Sequence, residues 1–285
     1  MKARLAVPLP ILALILASCS TGAPASASSP VGSTSSPGAS ASGATASGSI
    51  AAVTIYGAAS LKGVLAKAKT AYEAANPGTT LTISTDSSSA LEAKIEQGAP
   101  ADVFLSADTT NPKKLIDKGL ADGAAVTFAS NKLTVIVPTP NPAGIKTPAD
   151  LARAGVKVIA AGEAVPITKY ATQLVANLAR EAGYPANFVA AYTANIVSRE
   201  DNASAVLAKI ELGEGDAGIV YVTDARASTK VATVDVPAAA NVLATYSGVV
   251  IKASGSTATA RAFVDWLAGP EGRAILSSFG FLPPS

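Results

Sequence analysis

Apolar positions along the chain follow two alternating rhythms from about residue 50 to the end. Val53-Thr54-Ile55-Tyr56, Leu81 to Ser84 and Asp102 to Leu105 are short, strand-like runs. Between the first two, Leu61, Val64, Leu65, Ala68 and Tyr72 recur at helical spacing until Asn76-Pro77-Gly78 ends the pattern. After the second, Leu91 and Ile95 share one helical face, stopped by Gly98 and Pro100. Leu133 to Val137 reads as a strand, and Thr147-Pro148-Ala149-Asp150 supplies the cap, proline and third-position acid that open a helix. The alternation continues with a strand at Val156 to Ala160, a helix from about Lys169 to Arg180, a weaker strand near Ile196 and a helix from about Asn202 to Leu212. A strand at Ala217 to Tyr221 and two later ones at Val231 to Val236 and Ala244 to Ile251 follow. Thr257 to Phe279 reads as two helices broken at Gly269-Pro270. This predicts an α/β fold with largely parallel sheets, and roughly 235 folded residues suit two lobes rather than one minimal unit.

The first 50 residues follow neither rhythm. Lys2 and Arg4 precede an apolar run from Leu5 to Ala17, shorter than the roughly 20 residues a membrane-spanning helix needs, so residues 1–18 read as a secretion signal. Leu16-Ala17-Ser18-Cys19 resembles the lipobox of bacterial lipoproteins, which implies lipidation at Cys19. From Ser20 to Ser49 there is no charge, and Ser, Ala, Gly, Pro and Thr supply nearly everything. Such a segment buries too little apolar surface to order itself, and residues 19–50 are expected to be a tether spanning on the order of 30 Å.

Composition narrows the chemistry. The chain has 285 residues with 49% hydrophobic but only 15% charged, a formal net charge of +2, one cysteine and no histidine. Loss of Lys2 and Arg4 with the signal brings the net charge to about zero, which argues against nucleic acid as a partner. Without histidine, and with Cys19 committed to the anchor, His-dependent triads and His- or Cys-ligated metal sites are excluded. Phosphate-binding and dinucleotide-binding glycine motifs are absent, and adjacent acids such as Glu200 and Asp201 suit helix-start partners better than a catalytic pair. What remains is a set of Ser, Thr and Asn donors at helix starts that follow strand ends. Their natural ligand is a small oxyanion, because free N–H groups and the helix dipole favour negative charge there. The serine run Ser87-Ser88-Ser89 exceeds what one helix cap requires.

Five blocks, "VTIYGAASL", "DSSSALEAKIEQGAPADVFLSAD", "VPITKYA", "SREDNASAVLAKIELGEGDAGIVY" and "FVDWLAGPEGRAILSSFGF", together resemble the molybdate-binding proteins of bacterial molybdate ABC importers from about Ala52 onward. The resemblance implies a two-lobed periplasmic-binding-protein type 2 fold, with the ligand cleft between lobes and two chain crossovers near Lys132 and Asn241. Residues 51–132 and 241–285 would form lobe I, and 133–240 lobe II. It further implies an oxyanion held by hydroxyl and backbone N–H groups alone. Ser60 in "GAASL" and Ser88 match the two family serines, with Ser87 and Ser89 as alternatives to Ser88. Ile167 and Asn202 match positions that give backbone N–H groups, and Tyr221 matches a tyrosine that gives its hydroxyl.

Two departures bear on specificity: Thr168 stands where a glycine is frequent and offers an extra hydroxyl, and Asn202, where an aliphatic residue is common, either reaches the anion or caps its helix. Lys169 is expected to face solvent, and Asp86 is the one nearby acceptor that would favour a protonated anion unless it caps the serine helix. The implied function is a lipid-anchored, monomeric receptor on the extracytoplasmic face. It would capture molybdate, and tungstate comparably, for an ABC permease with its cytoplasmic ATPase, with no cofactor, no enzymatic activity and no direct metal ligand. Alternatives are a receptor tuned to tungstate, sulfate or another oxyanion, a hydroxymethylbilane-synthase-like enzyme, which would need a cofactor-bearing cysteine, and a surface adhesin.

Overall fold

Strands buried on both faces need helices on both sides, and the chain supplies them. The computed structural model describes residues 51–284, all within a compact unit that spans 47–285. The signal, Cys19 and the whole of the predicted tether, residues 19–50, lie outside the described residues, as does Ser285. Ten strands form two five-stranded sheets. The first contains β1 (Ala51–Ala58), β2 (Thr79–Asp86), β3 (Val103–Ser106), β4 (Ala121–Asn131) and β10 (Ala244–Ile251), in the order β2-β1-β3-β10-β4. The second contains β5 (Leu133–Pro138), β6 (Val158–Ala161), β7 (Ile196–Glu200), β8 (Ala217–Tyr221) and β9 (Val231–Val234), in the order β7-β6-β8-β5-β9. The chain passes from the first sheet to the second through Lys132 alone, and returns between β9 and β10. The α/β fold class is as expected, and each sheet with its helices forms one lobe.

The expectation of largely parallel sheets needs correction. β1 pairs parallel with β2 and β3, but β10 runs antiparallel to both β3 and β4, and β5 antiparallel to both β8 and β9. A strand that arrives from the other lobe enters its sheet from the hinge end, opposite to strands fed by a crossover helix. β3, β5, β6 and β8 are buried along their whole lengths, as central strands covered on both faces must be.

Helices α1 (Lys62–Ala75), α2 (Ser88–Glu96), α3 (Thr110–Asp117), α8 (Thr257–Ala268) and α9 (Pro270–Ser278) accompany the first sheet. Their apolar stripes are the ones the spacing predicts: Val64, Leu65, Ala68 and Tyr72 of α1 are buried, and Tyr72 packs edge-on against Phe263 and Trp266 of α8, each at 5.1 Å between ring centres. Helices α4 (Pro166–Leu178), α5 (Phe188–Ala194), α6 (Ala203–Glu211) and α7 (Val222–Arg226) accompany the second. The signal at Thr147 opens only a 3₁₀ turn, Pro148–Ala152, although the Asp150 carboxylate does accept the Thr147 N–H at 2.8 Å.

A tight cavity where the helix starts meet

Four helical starts converge between the sheets. A 3₁₀ turn, Ala59–Leu61, follows β1; α2 follows β2; α4 and α6 begin just beyond β6 and β7. Each leaves first-turn N–H groups without intrahelical acceptors. Together with the end of β8 they enclose a cavity of about 10 Å³, room for roughly one water. Ser60, Ser88, Ile167, Asn202 and Tyr221 all line it, so the structure brings together every residue that the resemblance selected, and Ser87 joins them. Ser89 does not line it. Larger cavities of about 370 Å³, beside α4 and α5, and about 580 Å³, at the far end of the first sheet, lack this convergence of helix starts.

The three serines divide their roles. Ser87 is the N-cap of α2, its hydroxyl accepting the Ala90 N–H at 3.2 Å. Ser88 is 1% exposed, and its Oγ accepts the Ala107 N–H at 3.0 Å, which leaves its proton uncommitted. Ser89 lies 3.4 Å from the Ser87 hydroxyl. Ser60 Oγ lies 2.9 Å from the Tyr246 hydroxyl.

On the opposite wall, Ile167 is the second residue of α4 after Pro166, a proline well suited to a helix start. Asn202 caps α6, its Oδ1 accepting the Ala205 N–H at 3.0 Å, and its amide donates to Asp86 Oδ1 at 3.4 Å instead of entering the cavity. Thr168 donates to the carbonyls of Ala161 and Gly162 at 3.0 and 2.8 Å, so the expected extra hydroxyl is spent on its own lobe. Lys169 is exposed and reaches Thr110 Oγ1 at 3.2 Å. Tyr221 is 1% exposed and its Oη has no hydrogen-bond partner. A buried phenol without a partner is costly, and this one borders the cavity. Burial, reinforced by Tyr246, Tyr170, Asp224 and Asp108, pushes its pKa well above the ordinary value, so it stays a donor.

No charged side chain lines the cavity. Asp86, the acceptor of concern, is not among its lining residues. Burial works against its charge, but the Lys94 ammonium at 3.0 Å, the Ser87 N–H at 2.8 Å and the Asn202 amide together hold its carboxyl below the usual range. Asp224, fully buried three residues beyond Tyr221, accepts the Tyr221 N–H at 3.3 Å, and desolvation raises its pKa to about 7. Sequence reasoning missed Tyr246, Asn131, Asp224 and the Ala107 N–H. Tyr246 lies 186 positions from Ser60, so the strand pairing that brings it there leaves no local pattern, whereas Asp224 is the third-position acid of α7. Among the described residues there is no cluster of three His, Cys, Asp or Glu suited to a metal ion, and no helix long and apolar enough to cross a membrane.

Two sheet-based lobes with an uncharged site between them, lined by hydroxyls and helix starts, have the build of a binding protein. Residues 53–282 match the family described as bacterial extracellular solute-binding protein, and the chain belongs to that family. The molybdate-binding protein ModA of Mycobacterium tuberculosis is 34% identical over 233 residues, 81% of this chain and 85% of that one. The molybdate-binding protein ModA of Escherichia coli is 32% identical over 238 residues, covering 80% and 88%. Among solved structures, the periplasmic molybdate-binding protein of Azotobacter vinelandii matches with a TM-score of 0.68 at 26% identity, covering 82% of this chain and all of that one. The sulfate-binding protein SubI of M. tuberculosis, at 20% identity and a TM-score of 0.72, shares the fold. The relatives are solute-binding proteins, not enzymes, and the enzyme alternative falls with that membership.

Proposed function

We propose that this protein is the molybdate receptor of an ABC importer. It binds tungstate comparably, is anchored through a lipid on Cys19 at the extracytoplasmic face of the membrane, and acts as a monomer delivering its cargo to a permease. The observation that carries the reading is the buried, partnerless Tyr221 hydroxyl at a cavity also lined by Ser60, Ser88, Ile167 and Asn202. The molybdate-binding relatives supply the identity of the cargo.

Removing a dianion from water costs several kcal/mol per charge, so nearly every lost hydrogen bond must be returned. Charge-assisted bonds contribute about 1.5–3 kcal/mol each, and enough of them leave a net of about −8 to −12 kcal/mol, a micromolar-to-nanomolar receptor. The donors are Ser60 and Ser88 through their hydroxyls, Tyr221 through its phenol, and the first N–H groups of the helix starts at Ile167 and Asn202. A tetrahedral oxyanion is larger than the cavity, so seating it moves the walls. Those walls belong to both lobes, and ligand entry is therefore coupled to lobe movement.

Isothermal titration calorimetry of the purified protein with molybdate, tungstate, sulfate and hydrogen phosphate tests the reading. One-to-one binding of molybdate and tungstate, with sulfate and phosphate silent, is expected. A preference for sulfate would replace the cargo, and silence for all four would sink the oxyanion function.

A further inference from the structure

We propose that Tyr246 is a positioning residue that turns the Ser60 hydroxyl into a proton donor toward the cavity. The inference rests on the oxyanion reading and deepens it. Tyr246 is fully buried on β10, and its Oη lies 2.9 Å from Ser60 Oγ. Distance alone leaves the direction of that hydrogen bond open. The surroundings decide it.

A phenol has one proton, and burying that proton without an acceptor is costly. Ser60 Oγ is the acceptor in hydrogen-bond range of Tyr246 among the described residues. Asn131, the other polar side chain beside the phenol, offers it no acceptor, because its amide is engaged elsewhere. Its amide orientation is fixed independently: Oδ1 accepts the Lys132 N–H at 2.9 Å, and Nδ2 donates to Thr223 Oγ1 at 2.8 Å. A backbone N–H can only donate, so the amide cannot be flipped without losing that bond. The ring cannot swing to another acceptor either. It is held edge-on by Tyr221, Phe281 and Phe128, with ring centres 5.6, 5.3 and 6.2 Å away.

The phenol proton therefore sits on Ser60, and the proton of Ser60 is left for the cavity. Ser88 reaches the same state by other means, since the Ala107 N–H occupies its oxygen from behind. Two serines on one lobe thus present protons because a donor on the far side of each has taken a lone pair. A bare dianion accepts both; an anion that must donate its own proton gains less from them.

A double-mutant cycle by titration calorimetry with sodium molybdate tests this, using Tyr246→Phe, Ser60→Ala and the pair. Tyr246→Phe keeps the ring packing and is expected to weaken molybdate binding about tenfold in the wild-type background. In the Ser60→Ala background it is expected to cost almost nothing, because the hydroxyl through which it acts is gone. A purely structural role would cost the same factor in both backgrounds and would overturn the proposal, as would unchanged affinity in the single variant. Incorporating 3-fluorotyrosine at position 246 preserves shape and strengthens the donor, so tighter molybdate binding is expected. Unchanged affinity there also counts against the relay, even if Tyr246→Phe does not fold. Wild-type protein that takes up no oxyanion at all would overturn the proposed function, whereas normal wild-type binding with an additive cycle would remove the relay alone.

Discussion

Ser87 and Ser88 are neighbours with separable tasks, and substitution should separate them. Ser87→Ala removes the cap of α2 and is expected to cost about 1 kcal/mol of stability. Ser88→Ala is expected to lower molybdate affinity by about tenfold or more while the melting temperature shifts less. Chemical denaturation and titration on the two variants would show the pattern, and the reverse pattern would move the anion contact to Ser87. Asp224 offers a test by pH. Its folded pKa of about 7 exceeds the unfolded value, so between about pH 4 and 7 the folded state holds the extra proton, and stability falls as pH rises through that window. The contribution is on the order of a few kcal/mol. Asp224→Asn should flatten that part of the stability profile, and an unchanged slope would show that the carboxyl is not responsible. At this scale the sequence was legible where a residue matched a local motif, as at Asn202, the cap of α6. Tyr246 and the burial of Asp224 were not legible, because both are imposed by distant segments.

Elements with strong periodicity stood out in the chain, and those without it did not. α1, α8 and β8 carry their buried faces in the spacing of their apolar residues. β4 escaped notice because Ala121-Asp122-Gly123-Ala124-Ala125 is small, half exposed and poor in β-branched residues, and it becomes a strand only by pairing with β10. α3 was hidden by Pro112 and its charges, and α5 and α7 are too short to show a period. The break between α8 and α9 was readable from Gly269-Pro270, but its tightness was not. A Cβ on Gly272 would lie 2.3 Å from the Leu267 carbonyl oxygen, a contact with backbone that cannot rotate away. Gly272→Ala is therefore expected to destabilise the protein by about 1–3 kcal/mol in thermal or denaturant unfolding. Normal stability would mean that the α8–α9 corner opens freely.

For the whole molecule, binding that requires both lobes must stabilise the folded chain. With molybdate at about 100 times its dissociation constant, the expected gain is about 2.7 kcal/mol, or a rise of roughly 5–10 °C in melting temperature. Differential scanning calorimetry with and without the anion measures it, and an unmoved transition would contradict the bridging mechanism. The two-lobed arrangement was legible from length and alternation. The mixed strand directions were not, because they depend on where the chain re-enters each sheet.

The site also lies beside the chain crossings. Tyr221 pairs in register with Leu133, the first residue of β5 beyond Lys132, and Tyr246 stands two residues into β10. Asn241 accepts the Leu133 N–H at 3.1 Å and donates to the Leu133 carbonyl at 2.9 Å, fastening the outgoing and returning strands together. The molecule is thus built like a nutcracker that grips close to its pin. A given rotation about the crossings sweeps the outer tips of the lobes through a wide arc but parts the jaws at Ser60 and Tyr221 only slightly. A partner that pulled on those tips would work with a long lever against a short one.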